Sequence, residues 1–278
     1  MSAARLAGIA LGAMAGRAAY VGLTRRRSPS SGPDGASAWS RTNHRGEQVT
    51  LLEGPAYVLA AAAGAAVTPG LPRRLRIAAA LAALGTGAVG AYDDFTDDNH
   101  IRGFKGHLGA LRRGKVTSGT VKIVGVGATG LAAGALVNRN PVDAVAAGGV
   151  IAGGANLVNL LDLRPGRAIK AGLLAGTPAL LAGGPSGAVV AAPLGAAASL
   201  LPEDLNERAM LGDAGAHALG ALLGLAAVTR LGRRGQLAVL GGLVGLTAAS
   251  EVVSFTKVIE RVGPLRWLDH LGRRTPPR

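Results

Sequence analysis

The chain has 278 residues, 49% of them hydrophobic but only 3% aromatic, with 44 glycines, no cysteine and a formal net charge of +14. The absence of cysteine excludes a disulfide framework and a thiolate metal site. With so few rings for base stacking, and with the basic residues confined to short stretches between apolar runs, nucleic acid is not expected as a partner.

A mean hydropathy of +0.32, carried by Ala, Gly, Val and Leu, reads as an all-α, polytopic integral membrane helix bundle whose small residues let helices approach closely. Apolar runs predict about nine transmembrane helices, near residues 6–23, 50–69, 75–92, 118–136, 142–161, 167–183, 186–202, 211–230 and 235–256. Several are near the lower limit of about 17 residues for crossing a bilayer. The first run carries Arg17 and has no clear small-x-small cleavage site before the basic stretch that follows, so it reads as a retained span rather than a signal peptide.

No internal repeat or separate soluble domain is evident, so residues 1–278 read as a single membrane domain. Of the 30 Lys and Arg, 20 fall on the face reached after odd-numbered spans and 8 on the other. The positive-inside rule makes the first face cytoplasmic, with the N-terminus outside, in a plasma (inner) membrane. Fifteen of the 16 acidic residues lie on or near the same face. It carries the loops 24–49 and 93–117, and a C-terminal segment, 257–278, whose spaced Val, Ile, Leu and Trp among cations predict an amphipathic basic tail along the interface. Anionic membrane lipids and phosphate-bearing molecules suit this charge. A homodimer is compatible with the sequence.

The chemistry concentrates in residues 91–122, AYDDFTDDNHIRGFKGHLGALRRGKVTSGTVK. Four carboxylates, Asp93, Asp94, Asp97 and Asp98, follow an apolar helix, where they suit a hard divalent cation such as magnesium; the plain alternative is a solvated acidic helix end. His100 and His107 accompany a run of cations, Arg102, Lys105, Arg112, Arg113 and Lys115, that suits a phosphorylated partner. Lys122, about one turn into the fourth span, either binds substrate or snorkels to the surface.

Three further clusters share the face. Asn156, Asn159 and Asp162 are spaced i, i+3, i+6, close to one helical face near a membrane exit. Such residues face a cavity or a partner, or else the two Asn hydrogen-bond between helices. Asp213, within LGDAGA at the start of the eighth span, either serves a site with His217 one turn on or caps the helix. Asn43, His44 and Arg45 precede Gly46 and read as a phosphate-binding loop or as a basic juxtamembrane patch.

Together these segments resemble the membrane polyprenyl-phosphate sugar-1-phosphate transferases, glycosyltransferase family 4. That family includes the phospho-N-acetylmuramoyl-pentapeptide transferase and the undecaprenyl-phosphate N-acetylglucosamine-1-phosphate transferases. AYDDFTDD is similar to their Asp-Asp motif, NLVNLLD to Asn-x-x-Asn-x-x-Asp, GDAG to Gly-Asp-x-Gly, and TNHRGEQVTLLEGP to their early Asn-x-Arg loop, in the family's order, over residues 40–260.

The resemblance implies a magnesium-dependent transfer of a sugar-1-phosphate from a UDP-amino sugar to a polyprenyl phosphate on the cytoplasmic membrane face, releasing UMP, in bacterial envelope glycan synthesis. By carry-over Asp94 and Asp213 are metal ligands and Asp93, with Asp94 and Asp162, is catalytic. Asn43, His44, Arg45, Lys105, Lys122, Asn156, Asn159 and His217 bind substrates. Two departures stand out: where the family commonly continues as Asp-Gly-x-Asp-Gly, LRPGR follows Asp162, with Leu163 for the first Gly, Pro165 for the second Asp and Arg167 beyond it, and the tail offers only His270 where the peptidoglycan enzyme has a His-rich motif. They argue against the muramyl-pentapeptide substrate. What remains is a divergent transferase for another sugar nucleotide, or a noncatalytic paralogue that binds polyprenyl-linked or anionic lipid as an envelope-assembly scaffold. A solute transporter is less favoured, because no pair of broken helices occupies corresponding halves.

Overall fold

In the computed structural model, residues 1–26, 39–43, 45–96, 109, 113–114 and 117–274 are described. Among them are eleven helices and one two-stranded hairpin. The helices are α1 (Ala3–Arg26), α2 (Glu53–Val67), α3 (Arg73–Phe95), α4 (Ser118–Val137), α5 (Pro141–Leu161), α6 (Arg167–Ala182), α7 (Gly184–Leu205), α8 (Gly212–Arg230), α9 (Arg233–Ser250), α10 (Phe255–Arg261) and α11 (Gly263–His270). The strands are β1 (Ser40–Thr42) and β2 (Gln48–Thr50).

Local signals explain several boundaries. The Thr117 side chain accepts from the Thr120 N–H at 3.2 Å and starts α4. Asn140 accepts from the N–H groups of Val142 and Asp143 at 2.9 and 3.3 Å, with Pro141 in the first turn of α5; both are N-terminal caps. The chain between α6 and α7 turns at Gly183 and Gly184, both at positive φ.

Helix α8 is the hub. Its Ala/Gly/Leu-rich sequence is buried along most of its length, and it packs against α2, α3, α4, α5, α6 and α7. Helix α1 lies outside, against α2 and α7. Its Arg17 pairs with Glu203 near the end of α7 at 2.5 Å, which accounts for a cation within that apolar helix.

Each of the nine apolar runs forms a helix, α1 to α9, but nine membrane spans do not follow. Five helices, α1, α3, α4, α5 and α7, are long and apolar enough to cross a membrane, or six if α9 and α10, bent by 94° at their junction, count as one broken span. Helices α2 and α6 have only 15 and 16 residues, short of a bilayer's thickness. Composition misleads here because a helix enclosed by other helices is as apolar as one facing lipid.

Beside the all-helical bundle, the hairpin pairs Arg41 with Val49. It docks onto the segment before α8, where the Thr50 N–H donates to the Arg208 carbonyl at 3.3 Å and the Met210 N–H to the Thr50 carbonyl at 2.9 Å. The Trp39 ring meets Phe95, in the last turn of α3, edge-on with centroids 4.3 Å apart. The hairpin, the ends of α3, α5 and α7 and the starts of α4, α6 and α8 thus gather at one end of the bundle.

Candidate functional site

The site is assembled where α3 ends against the start of α8. A Cβ on Gly90 would collide with the Asp213 carbonyl, so glycine there lets α3 lie close and brings Asp93 and Asp94 to the α8 N-terminus. Gly212 adopts φ +61, a left-handed conformation that glycine takes without strain. A Cβ at that position would stand 3.1 Å from Asp94 Oδ2.

This backbone gives Asp94 a specific task. The Asp213 N–H donates to its Oδ1 and the Ala214 N–H to its Oδ2, each at 3.1 Å. Both oxygens of Asp94 therefore satisfy orphan donors at the α8 N-terminus, where the helix dipole also favours a negative charge. The helix is capped by Asp94 from another helix, which leaves the Asp213 side chain free to turn elsewhere.

It turns toward Lys122. The Lys122 ammonium donates to Asp93 Oδ2 at 2.7 Å and to Asp213 Oδ2. Asn159, in the last turn of α5, completes the ring: with its amide oriented to suit these neighbours, it donates to Asp213 Oδ1 at 2.8 Å and accepts from Lys122 Nζ at 3.1 Å. Two carboxylates this close repel one another, and the ammonium between them offsets that repulsion. Lys122 is therefore a member of the cluster and does not snorkel.

A second region lies beside it, an acid-lined cavity of about 90 Å³ walled by Asn43, Asp162, Arg164, Pro165, Asp204 and Glu207 among others. Burial pushes the Asp162 carboxyl well above the usual carboxylate range, and Asp204, Asp213 and Asp94 push it the same way, against a hydrogen bond from the Gly212 N–H. The Asn43 side chain donates to Glu207 at 2.8 Å and accepts from the N–H groups of Arg45 and Glu47, each at 2.9 Å. Arg45 pairs with Glu207 at 2.8 Å. Asn43 thus lines the cavity, while Arg45 is engaged in holding the hairpin to the segment before α8.

Not every expected residue joins the cluster. Asn156 donates to Thr247 on α9 at 3.0 Å, the interhelical bond that was the alternative reading. His217 is buried, and its Nδ1 donates to the Asp213 carbonyl, 2.6 Å away within α8. His44, Asp97, Asp98, His100, Lys105 and His107, with Arg102, Arg112 and Lys115, lie outside the described residues.

Sequence reasoning missed Glu53, Asp204 and Glu207. Glu53 opens α2 fully buried, and among the described residues neither of its carboxylate oxygens has a hydrogen-bond partner. A lone carboxylate in the apolar run TLLEGP was the signal for it; the density of acids in PEDLNE was the signal for the other two.

Carboxylate and amide oxygens are the right donor chemistry for magnesium, but their arrangement does not fit the ion. Among the described residues no three His, Asp or Glu side chains converge to hold a metal. Lys122 stands between Asp93 and Asp213, and Asp94 is committed to the α8 N-terminus.

No family model matches the chain, and no curated protein matches it.

Proposed function

We propose that this protein transfers a sugar-1-phosphate from a UDP-amino sugar to a polyprenyl phosphate at a membrane surface, releasing UMP. The observation that carries the reading is the ring around Lys122. Asp93, Asn159 and Asp213 come from three of the four motifs of the family resemblance, and they meet on one ammonium.

In this reaction a lipid phosphate oxygen attacks the phosphorus that bears the sugar. The bond from that phosphorus to the bridging oxygen breaks, and UMP leaves with the electron pair. Both reactants are anionic, so a fixed positive charge at the point of attack lowers the barrier. Lys122 is the group in place to bind the attacking phosphate, with Asp93 and Asp213 aiming its ammonium. Asp93 accepts the proton of a monoprotonated lipid phosphate, and Asn159 holds Asp213 in register. Asn43 and Arg164, on the wall of the adjoining cavity, are the polar groups for the nucleotide diphosphate. Magnesium, expected from the resemblance, enters as an arm of the test, and no step is routed through it.

The deciding experiment measures UMP release by purified protein in detergent with undecaprenyl phosphate and a panel of UDP-amino sugars, with and without magnesium. Release that needs the lipid and is lost in Asp93→Asn is the expected result. No release across the panel, from folded protein, overturns the transferase. It would leave the second reading, a noncatalytic protein that binds polyprenyl phosphate, which the small cavity favours: about 90 Å³ is well below the roughly 300 Å³ at which ligand pockets begin.

A further inference from the structure

The two departures from the family pattern, LRPGR after Asp162 and the altered tail, meet in space. Arg167, at the start of α6, donates through Nε to Asp269 Oδ1 at 2.7 Å and through Nη2 to Asp269 Oδ2 at 3.1 Å. Both side chains are buried, 5% and 4% exposed. Lys170, one turn on, donates to the carbonyls of Leu268, Asp269 and Leu271 at 2.8, 2.7 and 3.1 Å. These carbonyls lie at and just past the end of α11, where helix acceptors run short of intrahelical partners.

From that anchor the chain runs between two walls of the acid-lined cavity. Arg273 donates to the Pro165 carbonyl at 3.1 Å on one wall. Arg274 makes a paired contact with Glu47 at 2.7 and 3.2 Å, and its own carbonyl accepts from Arg45 at 2.8 Å, beside Asn43 on the other. The segment is therefore bound at its base by Asp269, which pairs with Arg167 and, at 2.8 Å, with Arg273, and at its tip by the exposed Arg274–Glu47 pair. The cavity between those two walls, about 90 Å³, is too small for a nucleotide sugar.

We propose that residues 263–274 form a removable strap that closes the acid-lined cavity, held shut by the Arg167–Asp269 pair and released to admit the sugar nucleotide. The closure itself is independent of any ligand; that the guest is a sugar nucleotide rests on the transferase reading. A guest that binds only the open form binds more weakly by the fraction of molecules that are open, so loosening the strap raises its affinity. The strap is then a gate on nucleotide binding, and Arg167 is a positioning residue acting through Asp269.

The chain has no cysteine, so Met210→Cys places a single thiol on the cavity wall. Its rate of maleimide labelling in detergent reports whether the strap is closed, with no substrate present. Arg167→Ala in that background is expected to speed labelling about tenfold or more, because it strands Asp269 as a buried, partly unpaired charge, and Arg167→Lys to give an intermediate rate. The single variant Arg274→Ala loosens the tip and leaves both partners of the buried Asp269, Arg167 and Arg273, in place; it carries the test if Arg167→Ala does not fold, and is expected to speed labelling severalfold. Equilibrium dialysis with a UDP-amino sugar should show tighter binding in the same variants. Labelling at the parent rate in every folded variant overturns the strap. Faster labelling with no UDP-sugar bound by any variant upholds the strap and removes the transferase reading. Faster labelling with UDP-sugar bound no more tightly than by the parent overturns the gate.

Discussion

Lys122, from the first turns of α4, donates to Asp93, from the last turn of α3, at 2.7 Å, and the same ammonium holds Asp213 on α8. Removing it leaves two carboxylates facing each other. Lys122→Met is expected to cost about 3 kcal/mol of stability, the scale for breaking a partly buried charge pair. Because the vacated position is ringed by oxygen atoms, millimolar magnesium should recover part of that loss in the variant and do less for the parent. Thermal unfolding in detergent with and without magnesium chloride measures both; equal magnesium responses in the two proteins would refute this account of the ring.

Asp94 has a different task from Asp93, although they are adjacent. As the cap of α8 it should tolerate Asn better than Ala, though not fully: Asp94→Ala is expected to cost about 1–2 kcal/mol, and Asp94→Asn about half of that, since Asn keeps one acceptor oxygen but turns an NH2 on the other N–H. Gly212→Ala should cost at least as much as Asp94→Ala, because it imposes φ +61 on a residue with a Cβ that crowds the same carboxylate. Chemical unfolding of the three variants checks the order, and an Asn variant as unstable as the Ala one would show that capping is not what Asp94 does.

The helices and the acids of the ring were legible in the sequence because both leave local marks. A run of Ala, Gly and Val predicts a helix wherever it falls, and a carboxylate at either edge of such a run stands out, as at Asp93 and Asp94 where α3 ends and at Asp213 where α8 begins. Whether a run faces lipid or protein was not legible, because α2, α6 and α8 have the apolar composition of a span while α8 is enclosed by six neighbours. Asn156 and Asn159 share a motif and nearly a face, yet one meets Thr247 and the other Lys122. That choice is made by which helices flank α5. Nothing local pointed from Arg167 to its partner, which lies 102 residues away in a segment with no motif of its own.

The strap should respond to acid in a defined direction. Burial raises the pKa of Asp269, but hydrogen bonds from Arg167 and the charges of Arg167, Arg273 and Lys170 outweigh it and hold the carboxyl below its ordinary value. A depressed folded pKa contributes stability that is present above the unfolded value, about 3.9, and is lost as pH falls through the folded one. The strap is therefore expected to stay shut from neutral pH down to about pH 4 and to open below it. Trp39→Phe leaves Trp267, on α11, as the single tryptophan, and its fluorescence against pH reads the transition. A midpoint near 6 would assign the strap's hold to some group other than Asp269.

The Asn pair gives the sharpest separation between packing and chemistry. Asn156→Ala removes one neutral hydrogen bond between α5 and α9 and is expected to cost about 1 kcal/mol. A double-mutant cycle with Thr247→Val should assign most of that cost to the pair, and UMP release should be unchanged. Asn159→Ala removes contacts to an ammonium and a carboxylate, which are worth about 1.5–3 kcal/mol. If they persist in the transition state, UMP release should fall about 10- to 100-fold, with polyprenyl phosphate binding weakened because Lys122 loses its alignment. Equal effects of the two substitutions on turnover would mean that the face of α5 acts as one unit and that the ring around Lys122 is not the reacting centre.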